Sequence, residues 1–420
     1  MEVDKLMTPM DMQAAEQAVR NNLDTAVDLL CGLIRIPSVR GQEQEIARWL
    51  KPRSESLADS AELVVMPDSI MDDPDYSFRL EGFSYGETAN LRLKIRGASG
   101  GKSLAFNAHL DVVPETPGQV DPFSPVVRDG RVYGRGANDD KGPVVTIWLV
   151  LKALRDLKWR PAGDITVDFV VEEESGGNGT LLVVRNGLRA DGCIVLEPTD
   201  LKVAHLVRGA VWFEVRTTGV AGHSGSPGST VSALKEAIKC MDSIEKVREE
   251  LLAVARRHVP MIADHPNPMP CTFGMLHSGN WPAAAPSDAV LKGVFGFLPP
   301  FHRADIQARI REAVAPHRAE VLFNMLNSDA SWVDGGHPLV GGLIAAAGKA
   351  GITSGPVFMN ASCDSWRYSE QLGIPAVVFG PGSISTAHGK QENVPIDEIR
   401  QAALAIIHFL NDWSGFENER

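Results

Sequence analysis

The sequence predicts an α/β protein: a mixed, mostly parallel sheet flanked by helices, with a smaller α+β unit inserted into the chain. Three observations predict it. Short apolar runs alternate with helical patterns, as in a sheet built from crossover units. Four of those runs stop at side chains able to hold a cation, which is where α/β sheets gather ligands. A middle stretch, 209–328, reads differently, with two-residue alternation and a long amphipathic helix.

The elements follow in chain order. Residues 12–36 carry Ala15, Val19, Leu23, Val27, Leu30 and Ile34 at helical spacing until Pro37 stops the pattern. A second helix is expected over Glu43–Ala58. Residues 67–88 are acidic and rich in turn formers, with Tyr76, Phe78, Phe83 and Tyr85, and read as a long loop. Such a loop either lines a pocket or is a plain surface excursion. Leu104–Ala108 is a strand that ends in His109-Leu-Asp111. Pro143–Leu157 is an apolar helix opened by Gly142-Pro143. Ile165–Val171 is a strand followed by Glu172-Glu173-Glu174. A helix over Leu181–Asn186 leads to the strand Cys193–Leu196 and then Glu197. In the middle stretch, Ala210–Thr217 and Ala289–Leu298 read as strands, and Ser229–Val254 and Ala304–Val314 as helices, a βαββαβ-like unit. A helix over Pro338–Lys349 returns to the first unit, and the strand Ala376–Phe379 precedes Gly380-Pro-Gly382 and His388. The expected division is 1–208 and 329–420 for the main unit and 209–328 for the inserted one.

Composition bounds the function. With 420 residues the chain has length for more than one domain, and 44% apolar with 22% charged residues is ordinary for a globular protein. A formal net charge of −12 argues against nucleic acid or an anionic membrane as partner. The five cysteines form no C-x-x-C pair, which suggests free thiols in a reducing compartment. Met1–Lys5 has no basic leader and no window approaches a membrane span, so a cytoplasmic protein is expected.

His109, Asp139, Glu174, Glu197 and His388 are the candidate metal ligands. Imidazole plus carboxylate suits zinc, with manganese or cobalt as alternatives, and only a carboxylate can bridge two cations. Asp139 sits in Gly134-Arg-Gly-Ala-Asn-Asp139, whose glycines permit a tight turn. Three adjacent carboxylates at a strand end are unfavourable unless a cation or proton is shared, although an acidic first helical turn is the plainer alternative.

Six segments in one order resemble the co-catalytic zinc hydrolases that include acetylornithine deacetylase, succinyl-diaminopimelate desuccinylase, aminoacylase, carnosinase and carboxypeptidase G. They are His109-Leu-Asp111, Tyr133-Gly-Arg-Gly-Ala-Asn-Asp139, Glu173-Glu174-Ser-Gly-Gly177, Leu196-Glu197-Pro-Thr199, Gly222-His223-Ser-Gly-Ser-Pro227 and Gly380 to His388. The resemblance implies a zinc-peptidase-like catalytic domain with a ferredoxin-like lid that also dimerises, and one or two divalent metals per subunit. It implies that His109 and Glu197 hold one metal, Glu174 and His388 the other, and that Asp139 bridges them. It further implies a cis Asp139–Asp140 peptide, Asp111 as the orienting partner of His109, and Glu173 as general base. His223 would reach a partner subunit's site and stabilise an oxyanion; its plainer reading is a cap before the helix near Ser229.

The implied activity is hydrolysis of a C–N bond in a small carboxylate-bearing substrate, most simply an N-acyl amino acid or peptide-like amide. Departures from the family pattern bear on the substrate. No arginine lies between Trp281 and Pro300, where many relatives carry one after Asn-x-x-Pro, here Asn280-Trp281-Pro-Ala. Arg367, Asn280 and Trp281 are therefore the candidate substrate contacts, with an ion pair to Asp364 as the alternative role of Arg367. Trp281, Phe297 and Trp366 suggest an aromatic-lined pocket or simply core. That leaves open hydrolytic deamination of an activated aromatic amine of nitroanthranilate type, and, more remotely, a non-catalytic relative that only binds metal or ligand.

Overall fold

The computed structural model describes residues 11–418 apart from Ser224, Ser226 and Pro227. Met1–Lys5 and part of the 222–227 motif thus lie outside the described residues. The first part of the chain supplies helices α1 (Met12–Ile34) and α2 (Ile46–Ser54), strands β1 (Ser60–Val65), β2 (Ala89–Ile95) and β3 (Leu104–His109), and helix α3 (Lys141–Leu157). Strand β4 (Ile165–Val170), helix α4 (Asn178–Arg185) and strands β5 (Cys193–Val195) and β6 (Val203–Val207) follow. The middle stretch holds β7 (Gly209–Thr218), α5 (Ala233–His258), β8 (Cys271–Ser278), β9 (Asp288–Phe297), α6 (Arg303–Val314) and β10 (Ala319–Leu322). The chain ends with β11 (Ser331–Trp332), α7 (Pro338–Lys349), β12 (Pro356–Met359), β13 (Ala376–Val378) and α8 (Ile396–Trp413).

The large sheet runs β1-β2-β4-β3-β5-β13-β6-β11, with β12 beside β6. Its centre, β4-β3-β5-β13, is parallel, while β1, β2 and β11 add antiparallel edges. Strand β3 is buried throughout because both faces are covered. Leu104, Phe106 and Ala108 join the core under α1, α3, α7 and α8, whereas Ala105 joins a second cluster with Val183, Tyr368 and Ile374. The period of two thus sends alternate residues into different cores.

The second sheet is antiparallel and ordered β8-β9-β7-β10. Counted from β10, its strands are the fourth, first, third and second of the βαββαβ unit, the ferredoxin-like order. Ile244, Leu251, Ile306 and Ile310 of α5 and α6 cover Val211, Phe213, Leu291 and Phe295 on one face.

Several elements depart from expectation. Strands β1, β2, β6 and β12 and helix α8 were not anticipated. Strand β2 carries Arg92 and Lys94, an unpromising pattern for a buried strand. Arg92 is tolerated because Asp168 of β4 pairs with it in two hydrogen bonds of 2.6 and 3.1 Å. Helix α4 begins at Asn178, so Glu172–Glu174 form a turn and no helix start. The 67–88 segment is largely loop, broken by a single-turn helix at Asp68–Asp72. Among the described residues no helix is long and apolar enough to cross a membrane.

Candidate active site

The carboxyl ends of the four central strands converge. His109 is the last residue of β3, and its Nδ1 donates to the Asp111 carbonyl at 3.0 Å. A carbonyl only accepts, so the ring proton sits on Nδ1. The Nε2 lone pair of the neutral ring then faces Asp139 Oδ1 at 2.9 Å. Two lone pairs at that distance require a proton or a cation between them. His388 repeats the arrangement, with Nε2 at 2.9 Å from Glu174 Oε1 and 3.3 Å from Asp139 Oδ2. Asp139 thus turns one oxygen to each histidine. Two groups of donor atoms result, His109–Asp139–Asp140–Glu197 and Asp139–Glu174–His388, each within 4.8 Å. The Asp139–Asp140 peptide is cis.

Charge at the site is unbalanced in the same sense. Burial, and then neighbouring carboxylates, push Glu173 and Glu197 well above the usual carboxylate range. Burial opposes a charged His109, yet Asp111 and Asp139 hold it well above the ordinary histidine value. Hydrogen bonds donated to the Asp139 and Glu174 carboxylates raise His388 to about 10. Burial also opposes ionised Asp139, but the two histidines draw it below the usual range. Crowded acids that favour their protonated forms beside histidines that favour their charged forms mark a donor set arranged to share positive charge. The donor set therefore fits divalent metal, and fits two positions sharing Asp139.

The turn after β4 separates the three glutamates. Glu172 is fully buried and its carboxylate is taken: Arg40 Nε donates at 2.7 Å, Asn178 Nδ2 at 2.9 Å, and the Tyr85 hydroxyl donates as well. Glu174 faces His388. Glu173 lies outside both donor groups, and its carboxylate makes no hydrogen bond among the described residues. The Asp111 carboxylate comes to 3.4 Å from His109 Nδ1, and its two oxygens accept the backbone N–H groups of Glu173 and Glu174, both at 3.1 Å. It ties the end of β3 to the glutamate turn. The 67–88 loop joins here too, because Tyr85 is fully buried, Tyr76 meets its hydroxyl at 2.9 Å, and Ser77 N–H donates to Asn178 at 3.0 Å.

Other expected site residues lie elsewhere. Arg367 is fully buried and its two Nη groups donate inside the protein, to Gly176 O at 2.8 Å, Gln371 Oε1 at 3.2 Å and Asp75 O at 3.4 Å, while its Nε has no hydrogen-bond partner. It braces the glutamate turn, and it makes neither an exposed carboxylate grip nor a salt bridge to Asp364, whose Oδ2 accepts from Thr180 at 2.5 Å. Phe297 is core of the second unit, Trp366 is buried beneath Arg303 and Arg367, and Trp281 is 67% exposed. These three rings do not form one pocket. His223 is exposed and makes no contact with the donor groups; a two-residue ladder, His223 to Ala284, places it beside the loop bearing Asn280 and Trp281. Residues missed from the sequence include Asp140, whose buried Oδ1 lacks a partner, and the buried pair Arg135–Glu392. Adjacency to Asp139 was the available signal for Asp140; nothing local marks Glu392.

Comparison with known proteins agrees with this geometry. The chain is 25% identical over 368 residues to the N-formyl-4-amino-5-aminomethyl-2-methylpyrimidine deformylase of Bacillus subtilis, covering 80% of this chain and 85% of that one. It is 28% identical over 342 residues to the acetylornithine deacetylase of Myxococcus xanthus, covering 77% and 84%. The solved structure of an M20 family metallo-carboxypeptidase from Sulfolobus solfataricus shares the fold at TM-score 0.74 and 19% identity, over 93% of this chain and 99% of that one. The family model for Peptidase family M20/M25/M40 matches residues 105–412. The chain thus belongs to Peptidase family M20/M25/M40 and is a metallohydrolase acting on C–N bonds.

Proposed function

We propose that the protein removes the acyl group from an N-acyl amino acid or a small peptide-like amide, using two divalent metals, with zinc as the first choice and manganese or cobalt as alternatives. One observation carries the reading: Asp139 sends an oxygen to each histidine while Glu173 stays outside both donor groups. In the proposal His109 and Glu197 complete one position, Glu174 and His388 the other, and Asp139 serves both. Bound metal would supply Lewis acidity to the scissile carbonyl and acidify water.

The chain's own residues do the rest. Glu173 takes a proton from the attacking water as the C–O bond forms, and returns it to the nitrogen as the C–N bond breaks. Its carboxylate lies outside both donor groups and makes no hydrogen bond among the described residues, which leaves it available for that exchange. Asp111 keeps Glu173 and Glu174 in register through their backbone N–H groups. His223, on its exposed ladder beside Asn280 and Trp281, is assigned to the developing oxyanion in a partner subunit's site. The proposed organisation is a catalytic unit of 1–208 and 329–420, with 209–328 as lid and dimerisation unit of a cytoplasmic homodimer or larger homo-oligomer.

Deamination of an activated aromatic amine is not favoured. The absent arginine and an aromatic pocket spoke for it; the arginine is absent, but the rings concerned are dispersed. The relatives named above are a deformylase and a deacetylase. A panel of N-formyl, N-acetyl and N-succinyl amino acids, dipeptides and aminobenzoates tests the choice, scored for amine against ammonia. Turnover of acyl amino acids or dipeptides is expected. Ammonia from aminobenzoates alone would overturn the proposal.

A further inference from the structure

Two of the proposed ligands, Asp139 and His388, sit on loops rather than at strand ends. His388 lies ten residues past the end of β13, has φ +58° and a half-exposed side chain. Its side chain meets Asp139 Oδ2 at 3.3 Å. Beneath that contact lies an ion pair between Arg135 and Glu392, each 1% exposed. Glu392 Oε2 accepts from Arg135 Nη1, and Glu392 Oε1 accepts the backbone N–H groups of Asn138 at 3.2 Å and Asp139 at 3.1 Å. Arg135 Nη2 donates to Thr116 Oγ1 at 2.8 Å, Gln119 Oε1 at 3.2 Å and the His388 carbonyl at 3.4 Å. Thr116 Oγ1 in turn donates to that carbonyl at 2.6 Å.

We propose that the Arg135–Glu392 pair, with Thr116, is a positioning device that sets the spacing of Asp139 and His388 and so governs metal retention at the Glu174–His388 position. Glu392 grips the backbone at the shared aspartate, and Arg135 grips the backbone of the histidine. The other position has firmer support. His109 belongs to β3, and Glu197 follows β5 by two residues. Loss of the Arg135 arm therefore releases one position selectively, whereas loss of Glu392 disturbs the aspartate common to both. A buried planar fork is required because one cation must reach an acid, a hydroxyl, an amide and a carbonyl together.

The inference rests on the ligand assignment proposed above, and the test separates the two. Chelator-stripped full-length protein is titrated with Co(II), followed by its absorption and by metal stoichiometry. Arg135→Lys keeps the charge opposite Glu392 but loses the fork; the second equivalent should bind 10–100-fold more weakly with the first little changed. Glu392→Ala should weaken both equivalents. Thr116→Val, outside the buried pair, should weaken the second alone by a smaller factor, and it carries the test if Arg135→Lys fails to fold. Unchanged binding in Arg135→Lys and Thr116→Val, or equal loss of both equivalents in them, would overturn the positioning role. His388→Ala is the control for the assignment: if it still takes two equivalents as the parent does, His388 is no ligand. A parent chain that binds fewer than two equivalents overturns the two-position reading and this proposal with it.

Discussion

At the scale of single residues, what a side chain can do is set by which of its lone pairs and protons are already spent. Glu172, Glu173 and Glu174 are chemically identical and adjacent. Glu172 is consumed by Arg40, Tyr85 and Asn178, and Glu174 is directed to His388. Glu173 remains free to exchange a proton. Glu173→Gln should therefore lower kcat by about a thousandfold while metal stoichiometry stays at the parent value. Near-normal turnover would remove it from the mechanism. Glu43, 1% exposed, has its proton affinity raised to about 8, first by burial and then by Asp111 and Glu172. The folded state holds this proton above the pH at which the unfolded chain releases it. Stability from this group is complete below about pH 4.5 and is lost as pH climbs towards 8. Glu43→Gln should thus leave stability nearly unchanged at pH 5 and raise it by about 4 kcal/mol at pH 8.5. Denaturant unfolding at the two pH values measures this, and equal effects at both would contradict the sign.

At the scale of elements, the segment from β4 to α4 shows how a short turn is held. Gly177 has φ +68°, and a Cβ there would lie 2.2 Å from Asp364 Oδ1 and 3.0 Å from Arg367 Nε. The turn can be pressed against Asp364 and Arg367 only because that atom is missing. Gly177→Ala should cost more than about 2 kcal/mol in thermal or denaturant unfolding and should impair metal binding, since Glu173 and Glu174 sit on the same turn. The 67–88 loop is no idle surface excursion, because it acts as a tether. Asp75 receives Arg185 of α4 at 2.7 Å and also Arg303 at the start of α6, so the loop joins the glutamate turn to the second unit. Elements legible from pattern were those with apolar residues at helical spacing, such as α1 and α5, and those with a near-continuous apolar run, such as α3 and β3. Strand β2 was not legible, because its Arg92 is buried through a partner 76 positions away. Helix α8 is different: Ile399, Ala403, Ile406 and Leu410 do recur at helical spacing, and the period was available.

At the scale of the whole molecule, metal, charge and fold are coupled. The donor groups bring Asp139, Asp140, Glu174 and Glu197 together, largely out of water. Such crowding is tolerable only when protons or cations share the space. Stripping divalent metal should lower the unfolding midpoint, and adding Zn(II) should restore it in a concentration-dependent way, by about 4 kcal/mol at a thousandfold excess over Kd. An unchanged midpoint in calorimetry would detach the metal from stability.

The sequence by itself determined the chemistry available and the architecture delivering it. Apolar runs that end in His109, the glutamate triplet, Glu197 and the His388 loop can only be strands presenting ligands at one edge, because a buried run has nowhere else to place them. Tertiary structure alone decided what occupies Glu172, that Arg367 is a brace, and that Arg135 and Glu392 tie the two loops together. Those outcomes depend on partners far apart in the chain, and neither spacing nor residue type records which donor fills which lone pair.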